Sequence, residues 1–272
     1  DGLDVSFAMG GGFLTGHREV RAVKGVSLRI WPGETVGIVG ESGSGKSTLA
    51  RAMLGLTRVS GGHITFDGNV LTKERDKTLK HLRSDAAMVF QDPFNSLNPR
   101  MTVGQTLAEV LRTQGETPRD RIAARIGELL DLVGLDRSFA ARRPRSLSGG
   151  QCQRAGIARA LAVNPRVIIA DECVAALDVT IQAQIVDLFR DLTRRTGLTL
   201  IFIAHDLAIV RNLCERVVVM RHGEIVEDGP SARVLHRPER SYTAALIAAI
   251  PDINPDRPLN GGQPLTQQEY AT

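Results

Sequence analysis

The octapeptide at 40–47, Gly40-Glu41-Ser42-Gly43-Ser44-Gly45-Lys46-Ser47, constrains this chain more than any other stretch, because it fits the phosphate-binding pattern G-x-x-x-x-G-K-[ST]. A short apolar run precedes it, Thr35-Val36-Gly37-Ile38-Val39, of the kind that forms a buried parallel strand, and 48–54 reads as a helix. Strand, glycine loop and helix in that order are the context the pattern needs. Gly40, Gly43 and Gly45 let backbone N–H groups close round an anion with no Cβ in the way. A helix starting at Lys46 turns its positive dipole end on the same point. Glu41, Ser42 and Ser44 complete the loop and Thr48 opens the helix, so 40–48 forms one candidate phosphate site. Lys46 is expected to bridge the β- and γ-phosphates of a nucleotide. Ser47 is expected to offer its hydroxyl to Mg²⁺, an ion that keeps several waters and takes few protein ligands.

The 272 residues could form one large α/β domain or two small ones. Hydrophobic residues at 42% and charged residues at 24% suit a globular protein. No run of about 18 apolar residues predicts a membrane-spanning helix, and no secretory pattern opens the sequence. Because it starts at Asp1 rather than Met, the expectation is of a piece of a longer chain. The formal charge of +4 comes from Lys and Arg scattered among acids, so no nucleic-acid surface is predicted. Cys152, Cys173 and Cys214 are odd in number and lack C-x-x-C spacing, which predicts reduced thiols and neither a disulfide framework nor a metal site.

Residues 3 to 8 and 20 to 30 alternate as strands, and His63-Ile64-Thr65-Phe66 before Asp67-Gly68 is a hairpin signal. Together they predict a small antiparallel sheet beside the glycine-loop core. An adenine ring needs a flat side chain to stack on, and His17 or Phe13 is the candidate. The apolar strand 86–90 ends at Gln91, whose amide oxygen could reach Mg²⁺ or an attacking water. Phe94 and Leu97 follow in a loop that is either a docking surface or a local core cap, before helical patterns at about 102–113 and 119–133.

Leu147-Ser148-Gly149-Gly150-Gln151 opens a further helix, with Ser148 as N-cap and two glycines freeing the backbone to approach a second anion. The buried strand 167–170 then ends in Asp171 and Glu172. Asp171 suits a carboxylate holding Mg²⁺ through water, and Glu172 a general base or water-orienting group for hydrolysis. Ala175-Ala176-Leu177-Asp178 leads into an amphipathic helix to about 195. The next β-run, 198–204, ends at His205, where a strand C-terminus faces a nucleotide crevice and an imidazole can sense the γ-phosphate. Strands near 215–220 and 224–227 and helices at about 231–236 and 241–249 complete the pattern, and from Pro251 a loose tail is expected.

In this order the motifs resemble the ATPase subunit of an ATP-binding cassette (ABC) transporter, from about residue 3 to 250. The resemblance carries a Walker A loop at 40–47, a Q-loop Gln91, the LSGGQ signature at 147–151, a Walker B end at Asp171 and Glu172, a D-loop at 175–178 and a switch His205. It implies a P-loop NTPase (RecA-like) α/β core with an antiparallel β subdomain and an α-helical signature subdomain at about 92–163, all within one domain at 1–250. It also implies ATP and Mg²⁺ as cofactors, with ATP held between the Walker A loop of one domain and Ser148, Gly149, Gly150 and Gln151 of a second. Glu172, His205 and Gln91 would then be catalytic, and Ser47, Gln91 and Asp171 would hold the metal. Partners implied are permease subunits, a second ATPase domain and, indirectly, an extracytoplasmic substrate-binding protein, which places the chain peripherally at the cytoplasmic face of the membrane. The phrases at 91–100, 176–186 and 236–251 resemble the dipeptide, oligopeptide and nickel importer group. Cargo therefore stays open between short peptides and nickel or a metallophore. A non-transport ABC ATPase acting on DNA or ribosomes is disfavoured, since no long coiled-coil insertion, zinc-ligand cysteines or basic block is present. Cys152, Cys173 and Ala175 depart from the family's common residues without removing a catalytic atom. The absence of Cys after Cys214 predicts no iron–sulfur cluster in the tail.

Overall fold

The computed structural model describes residues 1–9, 18–71 and 77–249. His17, Phe13 and the tail from 251 lie outside these. Two alternating strands, β1 (Leu3–Met9) and β2 (Arg18–Val26), pair antiparallel. The second stops at Val26, short of the expected 30, because the chain turns away towards Pro32 and Gly33. β3 (Thr35–Val39) is buried throughout and leads through the glycine loop into α1 (Lys46–Met53). The hairpin of β4 (Ile64–Phe66) and β5 (Asn69–Leu71) turns at Asp67 and Gly68, both at positive φ as a type I′ turn requires. A helix absent from the sequence reading follows, α2 (Lys77–Asp85), held by two buried residues, Leu79 and Leu82.

Next come β6 (Ala86–Val89), then α3 (Val103–Gln114), α4 (Ile122–Leu132) and α5 (Gly149–Leu161). Reciprocal capping boxes start two of these helices, Thr102 with Gln105 at α3 and Ser148 with Gln151 at α5. β7 (Val167–Asp171), α6 (Val179–Thr196) and β8 (Thr199–Ala204) follow as expected. α7 (Leu207–Leu213) is a second unforeseen helix, capped by Asp206 and seated by Leu207, Val210 and Leu213. β9 (Arg216–Arg221), β10 (Glu224–Pro230), α8 (Ser231–His236) and α9 (Ser241–Ala248) end the described chain.

The central sheet has the order β10-β9-β3-β8-β7-β6, parallel except for β10 at its edge. Its strands read as continuous apolar runs because both faces are covered. Ile168, Leu200, Phe202, Val217 and Val219 join the cluster under α3 to α7, while Ile169, Ile201, Ile203, Val218 and Met220 join the one under α1, α2 and the β1–β2 pair. Parallel direction sends the C-terminal ends of β3, β6, β7 and β8 to one edge, with Val39 beside Ala204, Val89 beside Ala170 and Asp171 beside Ile203. That edge collects the residues that follow each strand: the glycine loop, Gln91, Glu172 and His205.

Phe189 of α6 is fully buried and meets Phe202 of β8 edge-on, with ring centroids 6.0 Å apart. Phe189→Ala is expected to cost about 3–5 kcal/mol. In thermal unfolding of the purified protein the midpoint should fall by roughly 6–20 °C.

Candidate functional site

The glycine loop is shaped by close approach on its outer side. A Cβ on Gly40 would lie 2.1 Å from the Met220 carbonyl oxygen, and one on Gly45 would lie 2.4 Å from that of Ala22; both residues are at positive φ. Gly43 meets no such obstacle, and only its φ of 80° favours glycine there. The expected benefit of missing Cβ atoms thus lies first in seating the loop on its own scaffold. Gly223, in the β9–β10 turn, donates its N–H to the Ser44 carbonyl at 3.0 Å, a second brace from the same side.

Inside the loop Lys46 is almost wholly buried, 3% exposed. Its Nζ donates to the carbonyls of Gly40 at 2.8 Å and Glu41 at 2.9 Å, and lies 3.8 Å from a Glu172 carboxylate oxygen. Burial lowers the Lys46 pKa below the ordinary lysine value against the opposing pull of Glu172, Asp171 and Glu41. Ser47 Oγ donates to Asp171 Oδ1 at 2.8 Å. Burial raises the Asp171 pKa above the ordinary carboxylate value, opposed by the Ser47 hydrogen bond and reinforced by Glu172. The two acids differ in setting: Asp171 is buried as the last residue of β7, while Glu172 is partly open and carries left-handed backbone at φ 46°. Its N–H donates to Ile203 at 3.0 Å, which ties the acid pair to β8.

These features fit a nucleotide polyphosphate. The N-terminus of α1 has no side-chain cap, leaving its first N–H groups for an anion. Ser44 Oγ is buried without a hydrogen-bond partner among the described residues. Ser47 and Asp171 present hard oxygen atoms side by side, the donor type that Mg²⁺ takes. Thr48 lies in the first turn of α1, and Glu41 and Ser42 are exposed at the loop's crest. Gln91 and His205 are exposed at the ends of β6 and β8, on the same edge.

Ser148, Gly149, Gly150 and Gln151 stand apart from this cluster. Among the described residues no hydrogen bond joins them to 40–48. Ser148 Oγ accepts from the Gln151 N–H at 3.3 Å, and Gln151 Oε1 accepts from the Ser148 N–H at 3.0 Å. Gly150 is forced by close packing, since a Cβ there would lie 2.6 Å from Ile181 of α6. The same helix holds the segment after Gln91: Cys152 Sγ donates to the Pro93 carbonyl at 3.3 Å, and Arg159 donates to that of Ser96. Leu97 is only 3% exposed and caps the core here, while Phe94 stays 44% exposed. All three thiols are buried; burial pushes Cys152 to about 11 and Cys173 to about 12, and moves Cys214 in the same direction.

Fold and cradle together define a P-loop protein with a helical arm beside its phosphate site. The family model described as ABC transporter matches residues 23–175, and this chain belongs to that family. It is 49% identical over 240 residues to the oligopeptide transport ATP-binding protein OppF of Escherichia coli (strain K12), covering 88% of this chain and 72% of OppF. It is likewise 49% identical over 240 residues to the glutathione import ATP-binding protein GsiA of Pectobacterium atrosepticum, where the match covers 88% of this chain and 38% of GsiA. The chain therefore spans well under half of that relative's length. Among solved structures, the dimeric ATP-binding cassette MJ0796 in a post-hydrolysis state bound to ADP and Pi superposes with a TM-score of 0.75 at 33% identity, covering 85% of this chain and 97% of that one.

An acid with a raised folded pKa favours its protonated form, so its contribution to stability is present below the unfolded value and is lost as pH rises through the folded one. At neutral pH the Asp171 charge is thus a cost to the nucleotide-free fold. Asp171→Asn should raise the melting midpoint of the nucleotide-free protein at pH 7.5, with the gain shrinking as the buffer is taken down towards pH 4, measured by scanning fluorimetry across that range.

Proposed function

We propose that this chain is the ATP-hydrolysing subunit of an importer for short peptides and works as a head-to-tail pair of ATPase domains, this one spanning 1–250 with its helical arm at about 92–163. The observation that carries the reading is the division of labour between two helix N-termini. The first, at α1, is uncapped and gathers Lys46, Asp171 and Glu172 around it. The second, at α5, is exposed at Ser148 and has no polar link to the first among the described residues. A second domain's Ser148, Gly149, Gly150 and Gln151 would complete the first site from across a shared face. Val179, beside the 175–178 turn and 81% exposed, gives that face an apolar contact. The description of MJ0796 as dimeric supports the pairing.

When bound, Mg²⁺·ATP supplies the phosphoanhydride that is cleaved and the metal charge that offsets its oxygens. Lys46 would exchange the carbonyls of Gly40 and Glu41 for phosphate oxygens. Ser47 and Asp171 would hold the metal, with Gln91 as a further oxygen donor from the end of β6. Glu172, free of the metal and partly open, would orient the attacking water and take its proton, while His205 would contact the γ-phosphate from the end of β8. Since α5 holds the segment after Gln91 through Cys152 and Arg159, closure and reopening of the pair would move Phe94 and its neighbours against permease subunits. No helix among the described residues is long and apolar enough to cross a membrane, which suits a peripheral subunit at the cytoplasmic face. OppF and GsiA, named for oligopeptide transport and glutathione import, favour peptide cargo, delivered to the permease by an extracytoplasmic binding protein.

Glu172→Gln should slow steady-state ATP hydrolysis by roughly a hundredfold or more, the scale of a lost general base, and should accumulate an ATP-bound dimer in size-exclusion chromatography. Lys46→Ala should lose nucleotide binding outright. A monomer that hydrolyses ATP at an unchanged rate with Glu172→Gln would contradict the paired mechanism.

A further inference from the structure

The phosphate loop receives one side-chain contact that the proposed chemistry does not use. The N–H of Glu41 donates to the hydroxyl of Tyr242, 201 positions later, at 3.2 Å. Among the described residues, Tyr242 is the one side chain outside 40–47 that hydrogen-bonds the loop's backbone. Its position is built rather than incidental. Glu227 of β10 is itself buried, and its carboxylate accepts the N–H groups of Glu239 at 3.0 Å and Arg240 at 3.3 Å, which fixes the start of α9 to the sheet edge. Arg221, at the end of β9, places its guanidinium over the Tyr242 ring, 4.8 Å from the centroid. The Nε of that arginine is buried and has no hydrogen-bond partner among the described residues, so the ring face is the electron-rich group this guanidinium meets.

The peptide groups of Glu41 are therefore gripped from both sides: Lys46 Nζ takes its carbonyl and Tyr242 takes its N–H. If Lys46 turns to a phosphate, its grip is released; the Glu41 carbonyl keeps the Ser44 N–H at 3.1 Å, inside the loop, and Tyr242 is the one side chain that still holds this peptide from outside. A loop held in its binding shape loses less freedom when its ligand arrives, and affinity rises accordingly.

We propose that Tyr242 is a positioning residue for the phosphate loop: delivered by the Glu227-anchored start of α9, its hydroxyl fixes the Glu41 peptide and thereby sets the loop's affinity for nucleotide. The inference rests on the ATP-binding role proposed above. It makes nucleotide affinity depend on the seating of the C-terminal helix, a segment outside every motif of the site.

Tyr242→Phe removes the hydroxyl and leaves the ring beneath Arg221. With a non-hydrolysable ATP analogue in isothermal titration, and ATP in steady-state assays, Kd and KM should rise together by about threefold to tenfold, the scale of one hydrogen bond. The kcat at saturating ATP should stay within about twofold, and the melting midpoint without nucleotide should stay close to the parent's. Glu227→Gln should raise Kd in the same direction, and the double variant should be no weaker than the weaker single one. An unchanged Kd in Tyr242→Phe overturns the inference, as does a fall in kcat at unchanged KM. Lys46→Ala separates the two readings. If it abolishes binding while Tyr242→Phe binds like the parent, only the role of Tyr242 fails; if it binds like the parent, the nucleotide site itself is wrong and both fail.

Discussion

A lysine ammonium withdrawn from water is the constraint on which this structure turns. Burying such a charge without partners is prohibitive, yet Lys46 is nearly inaccessible. What offsets the cost is a set of groups that only this sheet can assemble: two carbonyls of the loop itself and the Glu172 carboxylate that follows β7. A parallel sheet is required because it alone brings the ends of β3, β7 and β8 to one edge in register. The resting site is thus an ion cluster in which backbone oxygens stand where phosphate oxygens are proposed to go.

The helical arm packs beside this cluster, with no hydrogen bond or ion pair between them among the described residues. The signature glycines touch Leu177 and Ile181, which lie just beyond the acids of β7. Cys152 and Arg159 reach back to the segment that leaves β6. Cys152 makes its contact in the first turn of α5 and Arg159 in the last, so the whole length of that helix borders the segment.

Much of this was legible in the sequence because the patterns involved are local. The strand, glycine loop and helix at 35–54, the acids closing 167–172 and the capped glycines at 148–151 all announce themselves within a dozen residues. The type I′ hairpin at Asp67-Gly68 is legible for the same reason. What escaped was set by tertiary contact. α2 carries only Leu79 and Leu82 among basic and polar residues, too thin a stripe to show a period, and α7 is barely two turns long. Leu97 and Phe94 lie three positions apart in one loop and end on opposite sides of the surface, which composition cannot distinguish. No spacing rule links Tyr242 to Glu41 across 201 positions. For Gly40 and Gly45 the sequence shows the missing Cβ but not what its absence avoids, since those atoms belong to Met220 and Ala22, far away in sequence.

The three cysteines have a consequence unrelated to turnover. All are buried, and their thiols hold their protons well above neutral pH. Maleimides and other thiol reagents attack the exposed thiolate, so the native side chains are chemically quiet while the fold is intact. The protein therefore comes with a blank labelling background: a single cysteine introduced on an exposed site would carry a fluorophore or spin label alone, without first stripping Cys152 from the contact it makes with Pro93.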